Sequence, residues 1–209
     1  LIKSIHADNL SQHIAGVILR DKNYFKSDLP LLLSDIQSLP WPHRTSLPMR
    51  KYVDAPGGLP LPNAQMWASR GCPFTCQFCA WPQIMGKPGF YRTRLIDDVL
   101  NEMHFLVHHM KFKSIYFDDD TFNVGIPRMM EFSQKLIERR KKGQILVPWA
   151  IMARADLMTE AVLKQLKLAG LYSLKYGVES SDQSLIDACG KNMNLEKTLS
   201  MIRLTQSMG

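Results

Sequence analysis

No apolar run in this chain of 209 residues approaches the roughly 20 residues that a bilayer-spanning helix needs. The stretch Leu1 to Leu10 lacks the apolar core of a secretory leader. The first residue is Leu rather than Met, so a start further upstream is expected. Cysteine is scarce: there are four, and three of them fall within eight positions. A secreted chain spreads an even set of cysteines as a disulfide framework. This clustering argues instead for a metal in a reducing compartment, hence a cytoplasmic protein. No internal repeat is visible beyond an alternation of strands and helices. The net charge is +7, but the only tight basic run is Arg139, Arg140, Lys141 and Lys142. That run falls where a helix is expected to end, and the helix dipole favours cations there. Charge therefore gives no reason to expect a nucleic-acid partner. With 45% hydrophobic and 22% charged residues, the chain can bury an ordinary globular core.

Residues 1–64 show weak periodicity and carry Pro30, Pro40, Pro42, Pro48, Pro56, Pro60 and Pro62. Proline fixes φ and removes a backbone donor, so neither a long helix nor a central strand fits. This stretch reads as an interdomain tether, with at most a short hairpin near Ile14 to Tyr24. Regularity begins in 65–209. Gln65 to Ser69 is a strand candidate. Leu95 to His109 places Leu95, Val99, Met103, Leu106 and Val107 at helical spacing. Ser114 to Phe117 is a short apolar strand. Pro127 to Arg140 reads as a helix with proline in its first turn. Val147 to Ala153 is a strand. Thr159 can cap a helix to Ala169, stopped by Gly170. Leu171 to Val178 is a fourth strand. Ser181 can cap a short helix to Cys189, and Asn194 can cap a last one over 195–208. Strands alternating with helices imply crossovers on a parallel sheet, whose carboxyl ends gather ligands.

The residues that carry chemistry sit where that rule puts them. Cys72, Cys76 and Cys79 follow the first strand with C-x3-C-x2-C spacing. Three thiolates on one loop can wrap one face of a [4Fe–4S] cluster, which normally takes four cysteines. The fourth cysteine, Cys189, is distant and reads as a small apolar residue. One iron is then left open for chemistry. A structural zinc would want four closed ligands, often two C-x2-C pairs, and no second pair exists.

This spacing, directly after a first strand in a β/α alternation, resembles the radical SAM (S-adenosylmethionine) superfamily. Ser69-Arg70-Gly71-Cys72-Pro73-Phe74, Asp119-Asp120-Thr121-Phe122, Arg154-Ala155-Asp156-Leu157 and Gly177-Val178-Glu179-Ser180 are together similar to its cobalamin-associated class. Cys79-Ala80-Trp81-Pro82-Gln83 and Tyr91-Arg92-Thr93-Arg94 look most like members acting on hopanoids and tetrapyrroles. The resemblance implies an α/β fold, a partial (β/α)6 barrel of about four β/α units behind a proline-rich tether. It implies a [4Fe–4S] cluster and SAM, which the cluster cleaves reductively to methionine and a 5′-deoxyadenosyl radical. The modified substrate would be a small metabolite or lipid, and the reaction a methylation, rearrangement or ring formation. A flavodoxin- or ferredoxin-type protein would supply electrons. Cobalamin would enter through a domain outside this chain, since no Asp-x-His-x-x-Gly motif occurs here.

The same resemblance and the strand-end positions assign Phe78, Asp119, Asp120, Arg154, Glu179 and Ser180 to SAM. Clustered acids at Asp118 to Asp120 suit a cationic group such as its ammonium. Arg154 can grip its carboxylate, or pair with Asp156 or Glu179 instead. Glu179 and Ser180 can accept from ribose hydroxyls, and Ser180 can alternatively cap the next helix. Phe78 and Trp81 can shield the cluster. Two other readings stand beside this one. A methylthiotransferase acting on tRNA or a ribosomal protein shares the cysteine spacing. An electron-transfer iron–sulfur protein would need no open iron.

Overall fold

The computed structural model describes residues 19–20, 24–25, 35–81 and 89–209. Strands β1 (Leu19–Arg20) and β2 (Tyr24–Phe25) pair antiparallel. The rest of the expected hairpin near Ile14 lies outside the described residues.

The main sheet has four strands: β3 (Asn63–Met66), β6 (Ser114–Phe117), β7 (Trp149–Ala153) and β8 (Leu171–Tyr176). They lie parallel in that spatial order. Helices α1 (Ile96–His108), α2 (Ile126–Lys141) and α3 (Glu160–Leu168) connect them. Then follow α4 (Gln183–Ala188) and α5 (Leu195–Ser207). A separate antiparallel pair, β4 (Ser69–Gly71) and β5 (Tyr91–Thr93), lies between the first strand and α1. Ser69, expected at the end of the first strand, belongs instead to β4. The first strand starts at Asn63, so it begins inside the stretch read as tether.

Alternation along the strands divides the core. Ile115, Phe117, Trp149, Ile151 and Ala153 join the apolar cluster on the helix side. Phe117, Phe122, Phe132 and Trp149 pack edge-on or tilted there, with centroids 4.8–6.1 Å apart. The Trp149 indole N–H donates to the Ala169 carbonyl at 3.0 Å, which satisfies its one polar atom. Tyr116 and Ala150 face the other way, against Leu59. Burial on both faces is what a parallel sheet requires. No helix among the described residues is long and apolar enough to cross a membrane.

The proline-rich stretch is irregular, yet its described part is bonded to α1. Trp41 donates to Asp98 at 2.8 Å. Arg44 pairs with the buried Glu102 at 2.6 Å. On its other carboxylate oxygen, Glu102 takes Arg94 at 2.5 Å. Arg94 in turn donates to the Trp67 carbonyl at 2.7 Å, between β3 and β4.

The helix ends follow the capping chemistry in two of three cases. Thr159 accepts from the Val162 N–H and Asn194 from the Lys197 N–H. The cap of α4 is Asp182, not Ser181: its carboxylate takes the Ser184 N–H at 2.8 Å, and an ionised acceptor outcompetes a hydroxyl. Thr159→Ala should cost about 1 kcal/mol, the usual value of an N-cap, read as a shift in denaturation midpoint at constant slope. Leu95 precedes α1 as its N-cap and is exposed, so it is no part of the packed stripe. On α5 the buried residues are Thr198 and Met201, while Leu199 is exposed. β8 is an edge of the described sheet, and Tyr172 on it is 56% exposed.

Candidate functional site

The loop from Cys72 to Cys79 leaves β4 at Gly71. Gly71 has φ +85°, and a Cβ there would stand 2.0 Å from the Phe90 carbonyl oxygen, so no side chain fits. All four cysteines are free and half-exposed. Cys79 turns back on Cys76 through an N–H to carbonyl bond of 3.1 Å. The Gln77 N–H donates to the Cys189 carbonyl at 2.8 Å, which ties the middle of the loop to the end of α4. Cys189 is thus no buried apolar filler; it is half-exposed, and its thiol donates to the Ile186 carbonyl at 3.2 Å.

Asp119, Asp120 and Thr121, which follow β6, hold the approach to this loop. Asp119 is buried; one carboxylate oxygen accepts from the Ala68 N–H at 3.0 Å and the other pairs with the Ser69 hydroxyl. Asp120 accepts from the Gly71 N–H at 3.0 Å. Thr121 reaches the Cys72 sulfur at 3.4 Å. Three successive residues thereby meet the chain at 68–69, 71 and 72. Burial pushes the Asp119 carboxyl up to about 7, against the pull of Ser69 and Ala68. Burial likewise raises Asp120, opposed by the Gly71 N–H and by Arg70.

Arg154, after β7, is also buried, and its partner is Asp156, through two bonds of 3.0 and 2.8 Å. That is the ion-pair alternative considered for it. A further N–H donates to the Lys191 carbonyl at 3.1 Å. The guanidinium lies 3.8 Å from the ring centre of Phe74, inside the cysteine loop. Asn123 bonds both the N–H and the carbonyl of Arg154. Lys191, which no sequence motif singles out, joins the same rim. Its ammonium is buried, pairs with Glu179 at 2.7 Å and donates to the Gly177 carbonyl at 2.9 Å. A Cβ at Gly177 would come within 3.1 Å of that ammonium and 2.8 Å of the Glu179 carboxylate. Glu179 itself sits at φ +69°, a left-handed conformation rare outside glycine and asparagine. Ser180 accepts from the Asp182 N–H at 3.0 Å, a local turn before α4.

These contacts bring Cys76, Arg154 and Lys191 together. Burial pushes the Cys76 thiol up, Arg154 and Lys191 pull it down, and Cys72 and Cys79 raise it. Phe78, expected to shield the cluster or meet SAM, is 58% exposed beside Cys79. Cys79 and Trp81 line a cavity of about 330 Å³ together with Arg70, Asp118, Asp119 and Asp120. Among the described residues no group of three His, Cys, Asp or Glu side chains is arranged to hold a single metal ion. The fit to a cluster therefore rests on donor chemistry: three free thiols on one pinned loop, with two cations beside them to offset thiolate charge.

The family model of the radical SAM superfamily matches residues 68–209. The chain belongs to the radical SAM superfamily. This radical SAM chain is 26% identical over 197 residues to an uncharacterized methyltransferase of Pyrococcus horikoshii, covering 94% of this chain and 41% of that protein. It is 28% identical over 184 residues to the anaerobic magnesium-protoporphyrin IX monomethyl ester cyclase of Rubrivivax gelatinosus, covering 87% of this chain and 30% of the cyclase. Among solved structures it is similar to the cobalamin-dependent SAM radical enzyme OxsB with aqua-cobalamin and SAM bound. That match has a TM-score of 0.72 at 20% identity, over 98% of this chain and 30% of OxsB. At such identity the likeness is one of fold, and it supports the partial barrel. The chain spans less than half the length of these relatives.

Proposed function

We propose that this chain is the cluster- and SAM-binding part of a radical SAM enzyme of the cobalamin-associated class, which methylates, rearranges or cyclises a small metabolite or lipid. Cys72, Cys76 and Cys79 would hold the [4Fe–4S] cluster. When bound, the cluster supplies the electron that cleaves SAM to methionine and a 5′-deoxyadenosyl radical. The chain's own residues orient the loop and line the cavity beside it. Asp120 and Glu179 are the acids left to meet the SAM ammonium or ribose, with Ser180 beside Glu179. Asp119 acts one step back: its carboxylate oxygens are taken by Ala68 and Ser69, so it positions the loop, while Arg154, held by Asp156 through Nε and Nη2, would offer its remaining nitrogen to the SAM carboxylate. A flavodoxin- or ferredoxin-type reductant and a cobalamin-bearing domain complete the proposed enzyme.

The observation that carries this reading is the pinned loop of three free thiols beside an acid-lined cavity at the carboxyl ends of parallel strands. Anaerobic reconstitution with iron and sulfide tests it. The chain should take up about four irons, as a [4Fe–4S] cluster requires. Cys72→Ala, Cys76→Ala or Cys79→Ala should each lose that iron, and Cys189→Ala should keep it. Added SAM should perturb the cluster spectrum, and a strong reductant should then release methionine. An electron carrier would show neither response.

A further inference from the structure

Thr121 is 5% exposed, on the segment that follows β6. Its hydroxyl lies 2.7 Å from the Asp120 carbonyl and 3.4 Å from the Cys72 sulfur. A hydroxyl has one proton to donate. With Cys72 as a neutral thiol, both contacts can form: the S–H donates to Thr121, and Thr121 donates to Asp120. A cluster-bound Cys72 is a thiolate and can only accept. The threonine proton then has two competing acceptors, a neutral carbonyl and an anionic sulfur. Hydrogen bonds to ionised acceptors are about twice as strong as neutral ones, so the sulfur wins.

We propose that Thr121 is a positioning residue of the cluster site, whose hydroxyl donates to the Cys72 thiolate and raises the reduction potential of the cluster. The proposal rests on the cluster reading above. Its physical basis is that reduction adds negative charge to the cluster and its sulfurs, and a donor aimed at a ligand sulfur stabilises that charge. The backbone that carries the hydroxyl is held on both sides. Asp120, before it, is tied to Gly71 at 3.0 Å. Phe122, after it, is buried and bonded through its N–H to the Met152 carbonyl at 3.1 Å. Asn123 then grips the backbone of Arg154.

The test is an EPR-monitored redox titration of the reconstituted chain, with iron counted in each sample. Thr121→Val removes the hydroxyl and keeps the shape; Thr121→Ser keeps the hydroxyl. The valine variant should hold wild-type iron, with its midpoint shifted to more negative potential beyond replicate scatter. The serine variant should titrate with the wild type. Should the valine variant fail to hold iron, Thr121→Ala takes its place with the same expectation. An unshifted midpoint in the hydroxyl-free variant overturns the proposal, as does a serine variant that shifts equally. A wild-type chain that takes up no iron would instead sink the cluster reading, so the two failures are distinguishable.

Discussion

Glu102→Leu should destabilise the chain by about 3–5 kcal/mol, the usual cost of stripping one partner from a buried ion pair. Glu102 is fully buried and shared by Arg44 and Arg94, one on each carboxylate oxygen. The two arginines would not suffer equally. Arg94 keeps Asp98 at 2.6 Å and the Trp67 carbonyl. Arg44, 7% exposed, would keep only the Gln65 carbonyl at 3.1 Å among the described residues. The cost therefore arises mainly from a guanidinium left buried and unpaired. Arg44→Leu alone should cost less, because Glu102 retains Arg94. The double variant Arg44→Leu with Glu102→Leu should recover much of the loss, since two apolar groups then replace the pair. Chemical denaturation of the four proteins checks this. A double variant no more stable than Glu102→Leu would refute the unpaired-charge account. With total stabilities of about 5–15 kcal/mol for domains, the single change threatens the fold itself.

What the sequence revealed and what it hid divide along a physical line. Ser114–Phe117 was legible to the residue, because a serine and three apolar residues ending in three aspartates leave little choice of boundaries. Thr159 and Asn194 were legible as caps, since a cap acts on N–H groups only three residues away. The β4–β5 pair was not legible, because Ser69–Gly71 and Tyr91–Thr93 are each too short for a period and lie far apart in sequence. Gly71 was the available signal: a glycine before the first cysteine marks a backbone that needs a positive φ. Asp119 and Arg154 were read as SAM contacts, and the structure adds polar partners for both. Spacing shows that a charged side chain reaches a strand end. It does not show whether Ala68, Ser69 or Asp156 has already claimed its polar atoms. Lys191 escaped notice because it lies in no strand-end motif, and only the close approach allowed by Gly177 makes it part of the site.

Asp119 should make the stability of the chain fall as pH rises from about 4 to 7. Its carboxyl is pushed up to about 7 by burial, from an ordinary value near 3.8. A group whose folded pKa is raised binds its proton more tightly in the folded chain. Its contribution is fully present below the unfolded pKa and is lost as pH climbs through the folded one. The window is set by those two values. A tenfold change in proton affinity is worth about 1.4 kcal/mol, so the loss between pH 4 and pH 7 is on the order of a few kcal/mol. Asp119→Asn removes the titration while keeping one oxygen to accept from the Ala68 N–H and an amide to donate to the Ser69 hydroxyl. The variant should therefore match or exceed the parent at pH 7 and lose its advantage near pH 4. Denaturant midpoints taken across that range for both proteins decide it. Parallel pH profiles would mean that Asp119 stays ionised in the folded chain, with the neighbouring N–H, the Ser69 hydroxyl and Arg128 outweighing its burial.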